Sequence, residues 1–152
     1  MRAHRRLVLG IAVAAAIATS AFGTASARTA PPSPDAKRAA SYAMLELGRP
    51  YTWGGTSPGT GFDASGLVTW SFAQVGISLP HYSEALFAKG VRVPRRSLDP
   101  GDLVFFHDAT HVGIYIGHGR FIHSPHTGDV VRIASLSNHW YRTGFTGAVR
   151  IS

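Results

Sequence analysis

The chain contains no cysteine among its 152 residues. That absence excludes a disulfide framework, a thiolate metal site and every thiol chemistry, so a hydrophobic core alone must hold the fold. Acidic residues are also scarce, eight against fifteen lysines and arginines. The formal charge of +7 falls to +4 when the three arginines of an expected N-terminal signal, Arg2, Arg5 and Arg6, are subtracted. The remaining bases are scattered and no basic stripe is interleaved with aromatics, which argues against nucleic acid and for adhesion to an anionic polymer. No internal repeat is present, and the length suits one domain.

The N-terminus reads as a processing signal. Arg2, Arg5 and Arg6 precede an alanine-rich apolar stretch from Leu7 to about Ala21, and Ala25-Ser26-Ala27 supplies the small residues of a cleavage site. The pattern predicts a signal peptide over residues 1–27, hence secretion, by the general or the twin-arginine route. The stretch is shorter and less hydrophobic than the roughly 20 apolar residues a spanning helix needs, so no stable membrane anchor is expected. Without a cysteine to accept a lipid, lipidation is not expected either.

Residues 28–35 are Pro-rich and poor in apolar side chains, which predicts a flexible leader, with the domain over 36–152. Ser33-Pro34-Asp35 carries helix-start chemistry, and Ala39, Tyr42, Ala43, Leu45 and Leu47 give an imperfect apolar face up to Gly48. A glycine-rich approach leads to a second helix that Asp63 can cap, with Leu67, Val68, Phe72 and Val75 at helical spacing. Ser83 can cap a short third helix through Lys89. Beyond it the period changes: 103–106, 111–116, 120–123, 130–133 and 148–151 are short strand-like runs. Helices first and an antiparallel sheet afterwards make an α+β fold.

Three positions stand out: Asp63-Ala64-Ser65-Gly66 at the second helix, His111 opening a strand and His123 closing the next. Whether the two histidines share a face depends on the turn between them. A three-residue loop, Gly117-His118-Gly119, would pair Gly113 with His123 and put both on one face, whereas a two-residue loop would separate them. Asp63 reads as a helix cap, Trp53 and Trp70 as packing residues and Asp102 as a turn residue. His81, His107, His118, His126 and His139 read as surface or loop residues. No ligand-spaced set emerges, so neither a metal nor a cofactor is expected.

Gly61-Phe62-Asp63-Ala64-Ser65-Gly66-Leu67-Val68 resembles the GFDCSGLV signature of the NlpC/P60 peptidoglycan peptidases, with alanine in place of cysteine. Pro50 to Gly55 is similar to the PYxWGG block, Pro100 to Phe106 to PGDLVFF, His111 to Gly117 to HVGIYIG, and Phe121 to Pro125 to FIHAP. The resemblance implies a papain-like fold, N-terminal helices packed on a five- to six-stranded antiparallel sheet, and a place in the cell wall. It implies that position 64 is the nucleophile position, His111 the base, His123 the group orienting its ring, and Tyr51 a neighbour that helps bind substrate or oxyanion, with Asp63 and Ser65 as further substrate-binding candidates. A thiol at a helix start suits this chemistry because free backbone N–H groups stabilise the thiolate.

Alanine at 64 removes that mechanism. Losing the nucleophile of a coupled triad costs on the order of a millionfold in rate. Ser65 is no substitute, since adjacent helical residues point about 100° apart, and local hydrogen bonding is its expected role. The expected function is therefore a secreted wall protein that binds D-glutamyl-diamino acid stem peptides without cleaving them. The alternatives are an active cysteine endopeptidase seen as a Cys-to-Ala knockout and a non-catalytic regulator of another cell-wall hydrolase. Retention of the export segment favours a natural alanine. Pro80-His81-Tyr82-Ser83 departs from the Arg-Thr-Ser run that often follows proline in the family, which puts local substrate contacts in doubt.

Overall fold

In a computed structural model the described residues are 29–152, and the expected signal peptide lies outside them. Ser33 starts the first helix as its side chain predicts. Its hydroxyl accepts the Ala36 N–H at 3.1 Å, and Pro34 opens α1 (Pro34–Met44). The helix buries Ala36, Ala39, Ala40 and Ala43. It stops short of the expected face: Leu45 and Leu47 are 73% and 44% exposed. The chain leaves the helix there because the backbone of residues 48–51 pairs with 129–131, Gly48 N–H donating to the Val131 carbonyl and Val131 N–H to that of Arg49.

A minimal hairpin, β1 (Thr56–Ser57) and β2 (Gly61–Phe62), leads into α2 (Ala64–Ala73), whose Leu67, Val68 and Phe72 are fully buried. In α3 (Ser83–Lys89) the expected cap Ser83 is instead the first, buried residue, and Tyr82 holds the cap position without a side-chain bond. The remaining elements are β3 (Val91–Arg92), β4 (Leu103–Phe106), β5 (His111–Gly117), β6 (Arg120–His123), β7 (Arg132–Ser135), α4 (His139–Gly144) and β8 (Phe145–Arg150). The six longer-range strands form one antiparallel sheet in the order β3-β8-β4-β5-β6-β7. The α+β fold, helices first and a six-stranded antiparallel sheet after, is as expected.

Two boundaries differ. The run at 130–133 yields a strand that begins at Arg132, because Val130 is taken up in a bridge to Pro50. The last strand begins at Phe145 rather than 148, after α4, which the sequence did not announce. Strand alternation splits the interior in two. Leu103, Phe105, Val112, Ile114 and Ile122 face α1 and α2, whereas Val104, Phe106, Tyr115 and Phe121 form a second cluster against Leu136, Tyr141 and Phe145. With β5 and β8 on either side, all four residues of β4 are buried.

Asp102 is not merely a turn residue. It is fully enclosed, and its two oxygens take the Arg150 Nε and Nη2 protons at 2.7 Å each, while one also accepts the Asp99 N–H. Arg150 in turn reaches the carbonyls of Ser97 and Ala30, so the segment before α1 is fastened to the last strand. Among the described residues no helix is long and apolar enough to cross a membrane.

Candidate functional site

The start of α2 sits in backbone packed too closely for side chains. A Cβ on Gly66 would collide with the Gly55 carbonyl, and one on Gly55 with that of Gly61. Asp63 holds this junction. Its Oδ1 accepts the Gly66 N–H at 2.7 Å, which is the expected helix cap, and its Oδ2 accepts the Gly54 N–H at 3.0 Å. His81 Nε2 lies 2.7 Å from the same Oδ1. One carboxylate therefore joins the helix start, the loop after Tyr51 and the connection between α2 and α3. Those three groups occupy both of its oxygens, so its observed role is structural.

Around this junction lies an open cleft of about 420 Å³. Tyr51, Asp63, Ala64 and Ser65 all line it, as do Trp53, His81, Tyr82, Glu84 and Thr110. The Tyr51 hydroxyl titrates above its ordinary range, first from burial and then from the charge of Asp63, so it stays protonated and able to donate. The Ser65 hydroxyl makes no hydrogen bond among the described residues, so the local bond expected of it is not formed, although the residue does line the cleft. Trp70 packs on the core as expected, whereas Trp53 does not: it is 87% exposed at the cleft rim. His81, read as a surface residue, belongs to the cleft wall.

The two histidines meet. His111 Nε2 and His123 Nδ1 are 2.7 Å apart, the rings edge to face with centroids 5.0 Å apart. They share a face by an unexpected device. Gly117 pairs with Arg120, which leaves a two-residue turn, His118-Gly119, the loop length expected to part them. A bulge between Tyr115 and Gly117 absorbs the extra residue and brings Ile114 opposite Ile122, so Gly113 falls beside His123. A Cβ on Gly113 would come within 3.2 Å of the His123 Cβ.

Burial dominates the electrostatics of the pair. His123 is fully buried, and desolvation, with His111 and Arg132 nearby, lowers its pKa from 6.5 to about 3. His111 falls from 6.5 to about 4, through desolvation and then His107 and His126. Both rings are neutral at pH 7, so their short contact is one N–H donated to one bare nitrogen. If His111 Nε2–H is the donor, its Nδ1 is left as a free base; the remaining nitrogen of His123, Nε2, has the Tyr141 hydroxyl 3.5 Å away.

Two contacts bring the histidines to the cleft. Thr110, which lines it, immediately precedes His111. Ser124, buried beside His123, donates its hydroxyl to the Phe62 carbonyl at 2.6 Å, one residue before Asp63. The turn entering β5 is unusual as well: His107, Asp108 and Ala109 all have left-handed backbones, with φ of 52, 56 and 64°. His107, read as a loop residue, packs against Trp140 with the rings tilted and their centroids 4.6 Å apart. Ser124 and Tyr141 escaped the sequence reading because their partners are remote in the chain, the Phe62 carbonyl and the His123 ring. Among the described residues no group of three or more His, Asp or Glu is arranged to hold a metal ion.

The start of α2 thus opens on the cleft with a methyl group at its first residue, and the strand-borne histidine pair is linked to that cleft through Thr110 and Ser124. The NlpC/P60 family model matches residues 48–150, and the chain belongs to this family. It is 50% identical over 97 residues to a probable endopeptidase of Mycobacterium tuberculosis, a match covering 63% of this chain and 25% of that protein. It is 41% identical over 116 residues to murein DD-endopeptidase MepH of Escherichia coli, covering 71% and 43%. The crystal structure of an NlpC/P60 family protein from Bacillus cereus superposes with a TM-score of 0.72 at 36% identity, over 79% of this chain and 41% of that one. The chain thus spans less than half the length of each of these relatives.

Proposed function

We propose that this domain is exported to the cell wall and binds peptidoglycan stem peptides in the Ala64 cleft, at the D-glutamyl-diamino acid segment, without cutting them. The observation that carries the reading is Ala64 itself. The resemblance places a thiol there, and the chain has a methyl group on the cleft wall and no cysteine elsewhere. Recognition survives this loss because it draws on other groups: the protonated Tyr51 hydroxyl, the cleft walls tied by Asp63 and the neutral histidine pair. The relatives' names support a wall peptide as the ligand, and MepH is named for acting on murein.

One observation favours a second reading, an endopeptidase whose working form has cysteine at position 64. The His111–His123 pair is intact and neutral at pH 7, as a base for a thiol must be. One experiment separates the two. The protein and its Ala64→Cys variant are incubated with purified sacculi, bound protein is measured and released peptides are identified by mass. Retention on sacculi without release by the unaltered chain, and release by Ala64→Cys, is the expected result. Cleavage by the unaltered chain would overturn the non-catalytic reading, and absence of retention would overturn the binding one.

A further inference from the structure

The outer wall of the cleft carries chemistry that the helix start and the histidines do not use. Trp53 and Tyr82 are 87% and 60% exposed, and both line the cleft. Their placement follows from Asp63: Gly54, next to Trp53, donates to one oxygen, and His81, next to Tyr82, contacts the other. Two large aromatic residues of the cleft are therefore tethered, each through a neighbour, to the one Asp63 carboxylate. Glu84, in the first turn of α3, lines the same cleft, and its carboxylate has no hydrogen-bond or ion-pair partner among the described residues. Both Asp63 oxygens are engaged by its three partners, which leaves Glu84 as the carboxylate of the cleft with no protein partner.

On this wall His81 and Tyr82 depart from the family pattern, whereas Trp53 belongs to it. His81-Tyr82 stands where the family often carries Arg-Thr. An arginine at position 81 would put a permanent cation beside Asp63, which His81 contacts, and a threonine at 82 would give no ring. Here the permanent cation is absent and an aromatic ring lines the cleft. An unpaired carboxylate in a cleft that two exposed aromatic residues also line favours a cation, through a charge-assisted hydrogen bond and through attraction to the ring faces. A neutral sugar ring could stack on the same rings and hydrogen-bond to the carboxylate, but it carries no positive charge to meet the negative one.

We propose that Glu84, Trp53 and Tyr82 form a subsite for a primary ammonium on a flexible aliphatic stem, the side-chain amine of the diamino acid in a stem peptide. The assignment rests on the reading of the cleft as a stem-peptide groove and adds which part of the peptide the outer wall grips. Glu84 takes the ammonium protons, and the two rings cover the aliphatic stem.

The test is calorimetric titration of the protein, and of its Glu84→Gln and Trp53→Ala variants, with L-alanyl-γ-D-glutamyl-L-lysine, its meso-diaminopimelate counterpart, and both peptides acetylated on the side-chain amine. Circular dichroism melting confirms that each variant is folded. Acetylation is expected to weaken binding to the unaltered protein roughly tenfold, the scale of one lost charge-assisted bond. Glu84→Gln should weaken the free-amine peptides to a similar extent and leave the acetylated ones unchanged. Trp53→Ala should weaken both forms. Equal binding of free and acetylated peptides would overturn the ammonium subsite while the groove reading stands. Failure of every peptide to bind would overturn both. A disaccharide-peptide that depends on Trp53 and is indifferent to Glu84→Gln would assign the wall to the glycan instead, again overturning the subsite.

Discussion

Acidification from pH 7 to pH 5 should destabilise this domain mainly through two side chains. In the unfolded chain His111 and His123 titrate near 6.5, whereas folding lowers them to about 4 and about 3. A histidine held neutral by the fold contributes stability that is fully present above the unfolded value. That contribution is lost as pH falls from 6.5 toward the folded values. Between pH 7 and pH 5 the unfolded form of each takes up most of a proton and the folded form almost none. The loss is therefore about 2 kcal/mol for each histidine and about 4 kcal/mol for the pair. Both folded values lie below this window, so neither folded ring takes up an appreciable share of a proton within it. Urea unfolding at half-unit pH intervals measures it, with His123→Asn as the companion variant, in which the slope should fall by about half. A change of less than about 1 kcal/mol between pH 7 and pH 5, or an unchanged slope in the variant, would refute the argument that the pair is buried and neutral.

The Asp102–Arg150 pair is enclosed and doubly bonded, so Asp102→Ala should cost about 3–5 kcal/mol in urea unfolding by stranding a buried guanidinium. Ser124→Ala removes the bond to the Phe62 carbonyl and should cost about 1–2 kcal/mol. In an Ala64→Cys background that second change should also lower peptide release, because it loosens the tie between the histidine strand and the helix start.

Local chemistry was legible in the sequence wherever its partners are near in the chain. Ser33 and Asp63 announce helix starts through bonds only three residues long, and both bonds form. The runs at 103–106 and 120–123 read directly as strands, because turn residues bound them. What escaped depends on residues far apart. Asp102 looks like a turn acid until Arg150, 48 residues on, is folded over it. Val130 looks like the start of a strand until Pro50 bridges to it. Trp53 looks like core because it is tryptophan, and nothing local reveals that Gly54 turns it outward by bonding to Asp63. The histidine pair was legible only as a choice between loop lengths, and it was settled by a bulge that no local residue pattern flags.

That bulge makes the spacing of the two histidines a compound quantity. Twelve positions separate them, and the count is shared between a tight reversal and one surplus residue in β5. Removing the bulge while keeping its residue and the tight reversal would set His123 opposite Ile114 and carry it to the helix-facing side of the sheet, away from His111, with no change at either histidine. Lengthening the reversal by one residue while ironing out the bulge would keep them together. Among relatives, then, a hairpin that drops the surplus residue or moves it into the reversal should keep the two rings together, and one of the same length with a tight reversal and no bulge would mark a protein whose two rings no longer meet.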